Sequence, residues 1–223
     1  TPDLAYQNPK KGDKQLTSRP VVVGFGPAGM YAALLLAQMG YKPLVLERGE
    51  AVDERVKSID AFWQKGKLNP KSNVQFGEGG AGTFSDGKLT SRVKDLRGRK
   101  VLTELVNAGA PEEILYKAHP HVGTDLLRDI VKNIRKEIIK LGGEVRFNTQ
   151  VKQVNLAQQQ LKSLTLNSGE VIDVQQAIFA IGHSARDTFG ELYEAGVMMT
   201  AKPFAVGVRV EHPQDRKSTR LNS

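Results

Sequence analysis

Short apolar runs alternate along the chain with amphipathic ones, after a polar start. Thr1 to Lys14 is polar and contains proline, and residues 1–18 read as a linker. Pro20-Val-Val-Val-Gly24 then offers a β-branched run with no polar position, the pattern of a central parallel strand buried on both faces. Met30 to Met39 is rich in Ala and Leu and is closed by Gly40, which predicts a helix with a glycine at its C-terminal cap. Pro43-Leu-Val-Leu46 predicts a second buried strand, and Glu50 to Lys65 a charged helix. Thr124 can cap a helix in which Leu127, Ile130, Val131, Ile134, Ile138 and Leu141 share one face, with Gly142-Gly143 as its stop. Glu144-Val-Arg-Phe147 predicts a third strand. Gln150 to Leu166, alternating at Val151, Val154, Leu161, Leu164 and Leu166, predicts an antiparallel hairpin ending in the turn Asn167-Ser168-Gly169. Gln176 to Ile181 is a further apolar strand, followed by Gly182-His183-Ser184.

The join between the first strand and the first helix carries a motif, Gly24-Phe-Gly26-Pro27-Ala28-Gly29, a GxGxxG. Each glycine has a physical use there: Gly24 for the tight turn, Gly26 for close approach of a pyrophosphate, and Gly29, with Ala32 and Ala33, for seating the helix on the sheet. The helix N-terminus presents free N–H groups and positive dipole to the diphosphate. Glu47, at the tip of the second strand and 23 positions after Gly24, can accept from ribose hydroxyls. A strand before the motif, a helix after it and an acid at this distance predict a dinucleotide site.

The rest of the chain bears on which dinucleotide. Gly77 to Leu89 (GEGGAGTFSDGKL) places five glycines among Thr83, Ser85 and Lys88, a loop whose backbone can approach an anion or a flat ring. Flanking Phe76, Phe84 and Leu89 suggest that it is packed down. An antiparallel excursion in place of a crossover helix, then a strand ending in Ala-Ile-Gly, follows the plan of an FAD domain rather than of a nicotinamide-binding one.

On these residues the sequence resembles the uncharacterised bacterial FAD-dependent dehydrogenases, flavoproteins with a glutathione-reductase-like FAD domain. The stretches that carry the resemblance are residues 23–30, 47–49, 77–89, 119–125, 180–186 and 202–209. It implies an FAD-dependent oxidoreductase of α/β class, with an FAD-binding Rossmann-like domain over residues 19–200, truncated before its C-terminal part. Residues 201–214 would begin a second, substrate domain, with Lys202 to Glu211 as its first strand. By the same resemblance Gly24, Gly26, Pro27, Ala28 and Gly29 would hold the pyrophosphate, Glu47 the ribose, with Arg48 beside it. Val151 would present its backbone to the adenine edge, Gly79, Gly80, Ala81, Gly82 and Thr83 would line the flavin side, and Gly182 would close its loop. The family's Ala-Thr-Gly reads Ala180-Ile181-Gly182 here, without the threonine hydroxyl. Such families also have a later Gly-Asp segment that contacts the ribityl chain, and the 223 residues stop before it. FAD is the expected cofactor, NAD(P)H a co-substrate candidate, and the substrate a small molecule.

Composition trims this picture. With 223 residues, 39% hydrophobic and 25% charged, the chain suits one globular domain or one plus part of a second. The apolar stretch Met30–Met39 is too short to cross a bilayer and no signal-peptide pattern opens the chain, so no membrane partner and a cytoplasmic location are expected. The absence of cysteine excludes disulfide frameworks, thiolate zinc sites, iron–sulfur clusters and dithiol relays. The formal charge is +8, but residues 215–223 (DRKSTRLNS) resemble the translation of a sequencing adapter, which points to an internal fragment. Removing their three basic residues and one acidic residue leaves +6.

Other chemistry is thin. A basic cluster, Arg92 to Lys100, lies among Asp86, Asp95 and Glu104 without an aromatic stacking set, so a nucleic-acid partner is not expected. A basic nucleic-acid module and an NAD(P)-binding Rossmann dehydrogenase stand as the alternatives. His119 and His121 flank a proline with no third ligand nearby, and no metal site is expected; His212 has no assigned role. His183, just past a strand end, is a candidate contact to the cofactor. Phe62 and Trp63 read as core residues of their helix. No catalytic residue is assigned, because flavin redox chemistry needs no protein nucleophile.

Overall fold

Four strands of three residues each, almost without polar side chains at their centre, build a parallel sheet. In the computed structural model, which describes residues 6–84, 95–117, 122–204, 206–208 and 210, β1 (Val21–Val23) leads through α1 (Pro27–Gln38) to β2 (Leu44–Leu46). α2 (Val52–Lys65), α3 (Leu96–Asn107) and α4 (Thr124–Lys140) precede β3 (Glu144–Arg146). β4 (Val151–Ala157), β5 (Gln160–Leu166) and β6 (Val171–Asp173) form a separate antiparallel sheet, after which β7 (Ala177–Phe179) and α5 (Arg186–Glu194) close the described fold. The parallel order is β3-β2-β1-β7, with Val22 opposite Val45 on one side and Ile178 on the other. β1 is thus the strand from which the chain departs in both directions, first toward β2 and β3, later back to β7.

The pleat sorts the core into two layers. Val22 and Val45 point to one face and pack with Met30, Ala33 and Ala37 of α1 and with Ile130, Ile134 and Ile138 of α4. Val21, Val23, Leu44 and Leu46 point to the other, where Val151, Leu164 and Leu166 of the antiparallel sheet and Leu192 of α5 cover them. Side chains alternate along a strand, so an uninterrupted apolar run needs cover on both faces. The α/β class, with its parallel sheet and antiparallel excursion, is the one expected.

Several local expectations change. The excursion is a three-strand meander, because β6 pairs with β5 beyond the Asn167–Gly169 turn. Thr124 is the first residue of α4, and Gly123 occupies the cap position without a side-chain hydrogen bond. Phe62 and Trp63 are exposed, at 36% and 61%: the buried stripe of α2 is Val52, Arg55 and Ile59, and the last turn runs on past it. The described residues among 202–211 form no strand. Gly40 sits one position past the α1 cap Met39 with φ +82°, as a helix-terminating glycine does.

Ile138 is fully buried between α4 and the sheet. Ile138→Ala is expected to lower stability by about 2–5 kcal/mol through the cavity it leaves, read as a fall in the urea midpoint without a change in slope.

Candidate functional site

The carboxyl ends of β1, β2 and β7 open into a cavity of about 460 Å³. It sits where the strand order reverses about β1, the place at which open α/β sheets bind ligands. The turn that floors it is dictated by two glycines. Gly24 adopts φ +97°, and a Cβ there would strike the carbonyl oxygen of Ala180. A Cβ on Gly29 would strike the carbonyl oxygen of Gly24, so only glycine lets α1 seat this low on the strand. Gly26 differs: the nearest atom to a Cβ there is Gly80 Cα at 3.6 Å, and its open side lines the cavity. α1 starts at Pro27 with no side-chain cap on Gly26. Helix geometry then leaves the amides of Ala28 and Gly29 without an intrahelical acceptor, at the positive end of the helix.

Glu47 directly follows β2 and is buried. Its Oε2 accepts from the amide of Phe25 at 2.7 Å, and its Oε1 accepts from the amides of Gly49 at 2.8 Å and Gly77 at 3.1 Å. A carboxylate offers about four acceptor positions, so the three backbone donors leave one, on Oε2, in a residue that lines the cavity. Glu47 therefore ties the glycine turn, the end of β2 and the glycine-rich loop to one point.

That loop is held from behind by charge. The fully buried Arg55 of α2 donates from Nε to the Asn73 carbonyl at 2.9 Å, from Nη1 to Glu78 at 2.7 Å and from Nη2 to Val74 at 2.9 Å, with its guanidinium 4.7 Å over the Phe84 ring. Burial lowers its pKa to about 10, against the opposite pull of Glu47 and Glu78, so it stays charged at neutral pH. The Glu78 carboxylate accepts from the Val52 amide at the start of α2 at 2.7 Å. Its Oε1 lies 3.1 Å from Arg135 Nε of α4, an ion pair whose alignment falls short of a hydrogen bond. Burial raises the Glu78 pKa, only partly opposed by the Val52 amide and Arg135. From this base the loop returns to the turn: the Gly79 amide donates to the Phe25 carbonyl at 2.8 Å, and Gly80 packs where a Cβ would stand 2.9 Å from Gly26 Cα.

The opposite wall is assembled from three elements. Arg48 follows Glu47, lies 4.7 Å over the Phe76 ring, and donates from Nη2 to Asp187 Oδ2 at 2.6 Å and Thr188 Oγ1 at 3.3 Å, both on α5. Gln150 Nε2, just before β4, donates to the same Asp187 oxygen at 2.7 Å. Partial burial pushes the Asp187 carboxyl up, but hydrogen bonds from Arg48 and the Thr188 amide outweigh it and hold the pKa below the usual value.

Eleven of the fourteen site residues expected from sequence line this one cavity: Gly24, Gly26, Pro27, Ala28, Glu47, Arg48, Gly80, Ala81, Gly82, Val151 and Gly182. The other three stand behind its wall. Gly29 is packed under the helix, Gly79 faces Thr83 and Val131, and the Thr83 hydroxyl donates to the Glu78 carbonyl at 3.3 Å. His183 lines the cavity; His119, His121, His212 and the loop residues Ser85 to Leu89 lie outside the described residues. Sequence reasoning passed over Phe76, Gln150 and Thr188 in the wall, and Arg55, Glu78 and Asp187 around it. Only Arg55 announces itself, as the charged member of the stripe Val52, Arg55, Ile59 on one helical face. Among the described residues no His, Asp or Glu cluster suits a metal ion, and no helix is long and apolar enough to cross a membrane.

No family model matches the chain. Over 206 residues, 92% of its length, it is 57% identical to an uncharacterized protein of Clostridium beijerinckii, and it spans 38% of that relative's length. Among solved structures it is similar to THI4 of Thermovibrio ammonificans, with a TM-score of 0.54 and 20% identity over 80% of this chain and 63% of that one. That likeness shows the fold. OTEMO in complex with FAD and NADP overlaps more loosely, with a TM-score of 0.46 and 19% identity over 76% of this chain and 26% of that one.

Arg55→Met removes the donor to three loop carbonyls, those of Asn73, Val74 and Glu78. Leaving three buried or half-buried carbonyls without a donor is expected to cost about 3–5 kcal/mol in urea unfolding, with earlier proteolytic cleavage in residues 69–84. Glu78 also sets a pH dependence. Its folded pKa stands above the unfolded value of 4.5, so its contribution to stability is whole below that pH and is lost as pH rises through the raised value. The stability of Glu78→Gln relative to wild type is therefore expected to improve between pH 4.5 and neutrality in parallel thermal melts.

Proposed function

We propose that this chain provides the dinucleotide-binding part of an FAD-dependent oxidoreductase. The observation that supports it best is convergence: the uncapped start of α1, the open side of Gly26 and the remaining acceptor position of Glu47 meet at one cavity at the strand-order reversal. The site fits the group in its chemistry. Amide donors and positive helix dipole suit a diphosphate, a buried carboxylate with spare acceptor capacity suits a ribose hydroxyl, and a Cβ-free surface admits close approach.

In this reading Ala28 and Gly29 donate their amides to the diphosphate, and Gly26 leaves room for its oxygens. Glu47 accepts from the ribose while its other contacts keep the turn rigid. Val151 supplies backbone and apolar surface to the adenine end, and Gly80 to Gly82 and Gly182 bring bare backbone beside the flavin side. Phe179, Ile181 and Leu192 keep the inner wall dry. Bound FAD supplies the redox chemistry, accepting or giving electrons or hydride, while the protein orients it. The substrate is a small molecule, held largely by residues of the longer polypeptide that the Clostridium relative exemplifies, and NAD(P)H is a candidate electron donor.

Titrating the 223-residue chain with FAD, followed by quenching of flavin fluorescence, tests this against a matched NAD titration. Saturable binding of FAD but not NAD is expected. Gly26→Val is expected to abolish it while leaving the circular dichroism spectrum intact, since only Gly80 Cα lies within 4 Å of a Cβ there. No FAD binding by the wild-type chain refutes the proposal, and equal or preferred NAD binding moves the site to the nicotinamide class.

A further inference from the structure

Arg48 is unusually well held for a long cationic side chain at a cavity wall. Its guanidinium lies on the Phe76 ring, and Nη2 is taken by Asp187 and Thr188. Asp187 is fixed in turn by Gln150 Nε2 on the same oxygen, so four segments of chain meet at one carboxylate and one guanidinium. Stability accounts for only part of the arrangement, because the Arg48 side chain is 15% exposed but the Asp187 side chain is 53% exposed, which screens the pair. A function for it follows from where Arg48 stands, beside Glu47 on the cavity wall.

We propose that Asp187 is a positioning residue for nucleotide binding, holding the Arg48 guanidinium ready at the nucleoside end of the cavity. This rests on the dinucleotide site proposed above. An arginine loses much rotamer freedom when a ligand immobilises it, and a side chain already immobilised spares the ligand that loss. Asp187 and Thr188 engage only Nη2, and no bond to another described residue is made from Nε or Nη1, which remain as donors on a planar cation suited to the face or acceptor edges of a nucleobase and to ribose oxygens. Gln150 adds a second tether, so that α5 and the start of β4 set the guanidinium together.

The two possible roles of Asp187 have opposite signs. As a bare negative charge near a diphosphate it would repel the ligand, and its neutralisation would tighten binding. As a positioning group it strengthens binding, and its neutralisation weakens it. ADP is the probe, since it carries the nucleoside and diphosphate without the flavin. Isothermal titration of the full chain with ADP is expected to show Asp187→Asn weakening binding about two- to twelvefold, the range for freeing one flexible side chain. In an Arg48→Ala background the same change is expected to have no weakening effect, a non-additivity that a role in tethering α5 alone would not produce. FMN, which lacks the adenosine, serves as a ligand whose affinity Asp187→Asn leaves unchanged. Equal or tighter ADP binding by Asp187→Asn, or the same weakening with and without Arg48, overturns the positioning role and leaves the site standing. No saturable ADP binding by wild type overturns both.

Discussion

The Glu47 carboxylate is the fixed point of the molecule. It accepts amides from the β1–α1 turn, from Gly49 in the segment after β2, and from the start of the glycine-rich loop. These three segments are far apart in sequence, and nothing else among the described groups bonds to all of them. Ionised acceptors of backbone N–H make roughly twice the hydrogen bond of neutral ones, and in a buried setting they also fix direction. The shape of the cavity follows: the turn, the strand end and the loop are three of its walls, and one acid sets their spacing. An acid at this position thus builds the cradle as well as reading what lies in it.

Behind the loop the structure accepts a cost to gain definition. Arg55 and Glu78 are both fully buried, and taking charges out of water is unfavourable even when they are paired. Arg55 recovers part of that by satisfying three carbonyls of a loop that has no regular partners of its own. Glu78 does the same for the start of α2, which has no side-chain cap at Ala51. A glycine-rich segment has high conformational freedom, and here polar anchors at its base take the place of side-chain packing along its length. Gly80 then sits so close that a Cβ on it would stand 2.9 Å from Gly26 Cα and 3.0 Å from Pro27 Cδ.

Much of this was legible because it repeats at short range. Buried parallel strands appear as Val21–Val23 and Leu44–Leu46, a helix over the sheet appears in the stripe from Leu127 to Leu141, and the GxGxxG states its own turn. What the sequence hides is whatever depends on contacts between distant segments. Val171–Asp173 is three residues with exposed positions at both ends, and becomes β6 only because β5 offers an edge. Trp63 looks like core by composition, yet α2 outruns the surface that would cover it. Glu47 was legible as an acid at the right distance, while its bond to Gly77 spans 30 residues and has no periodic trace. Asp187 meets Arg48 across 139 positions, and only the fold brings them together.

The strand order carries a consequence for how the chain comes into being. β1 gains its first neighbour, β2, soon after it is made, but its second neighbour, β7, lies about 150 positions downstream. At a synthesis rate of ~5–20 residues per second, Val21–Val23 waits roughly eight to thirty seconds with one edge open. During that interval a wholly apolar strand has unpaired amides and carbonyls available to any other extended segment, including its own sister chains. The centre of the parallel sheet can therefore close only after β7 has returned across the meander, and β1 has the most long-range pairing of that sheet still to make.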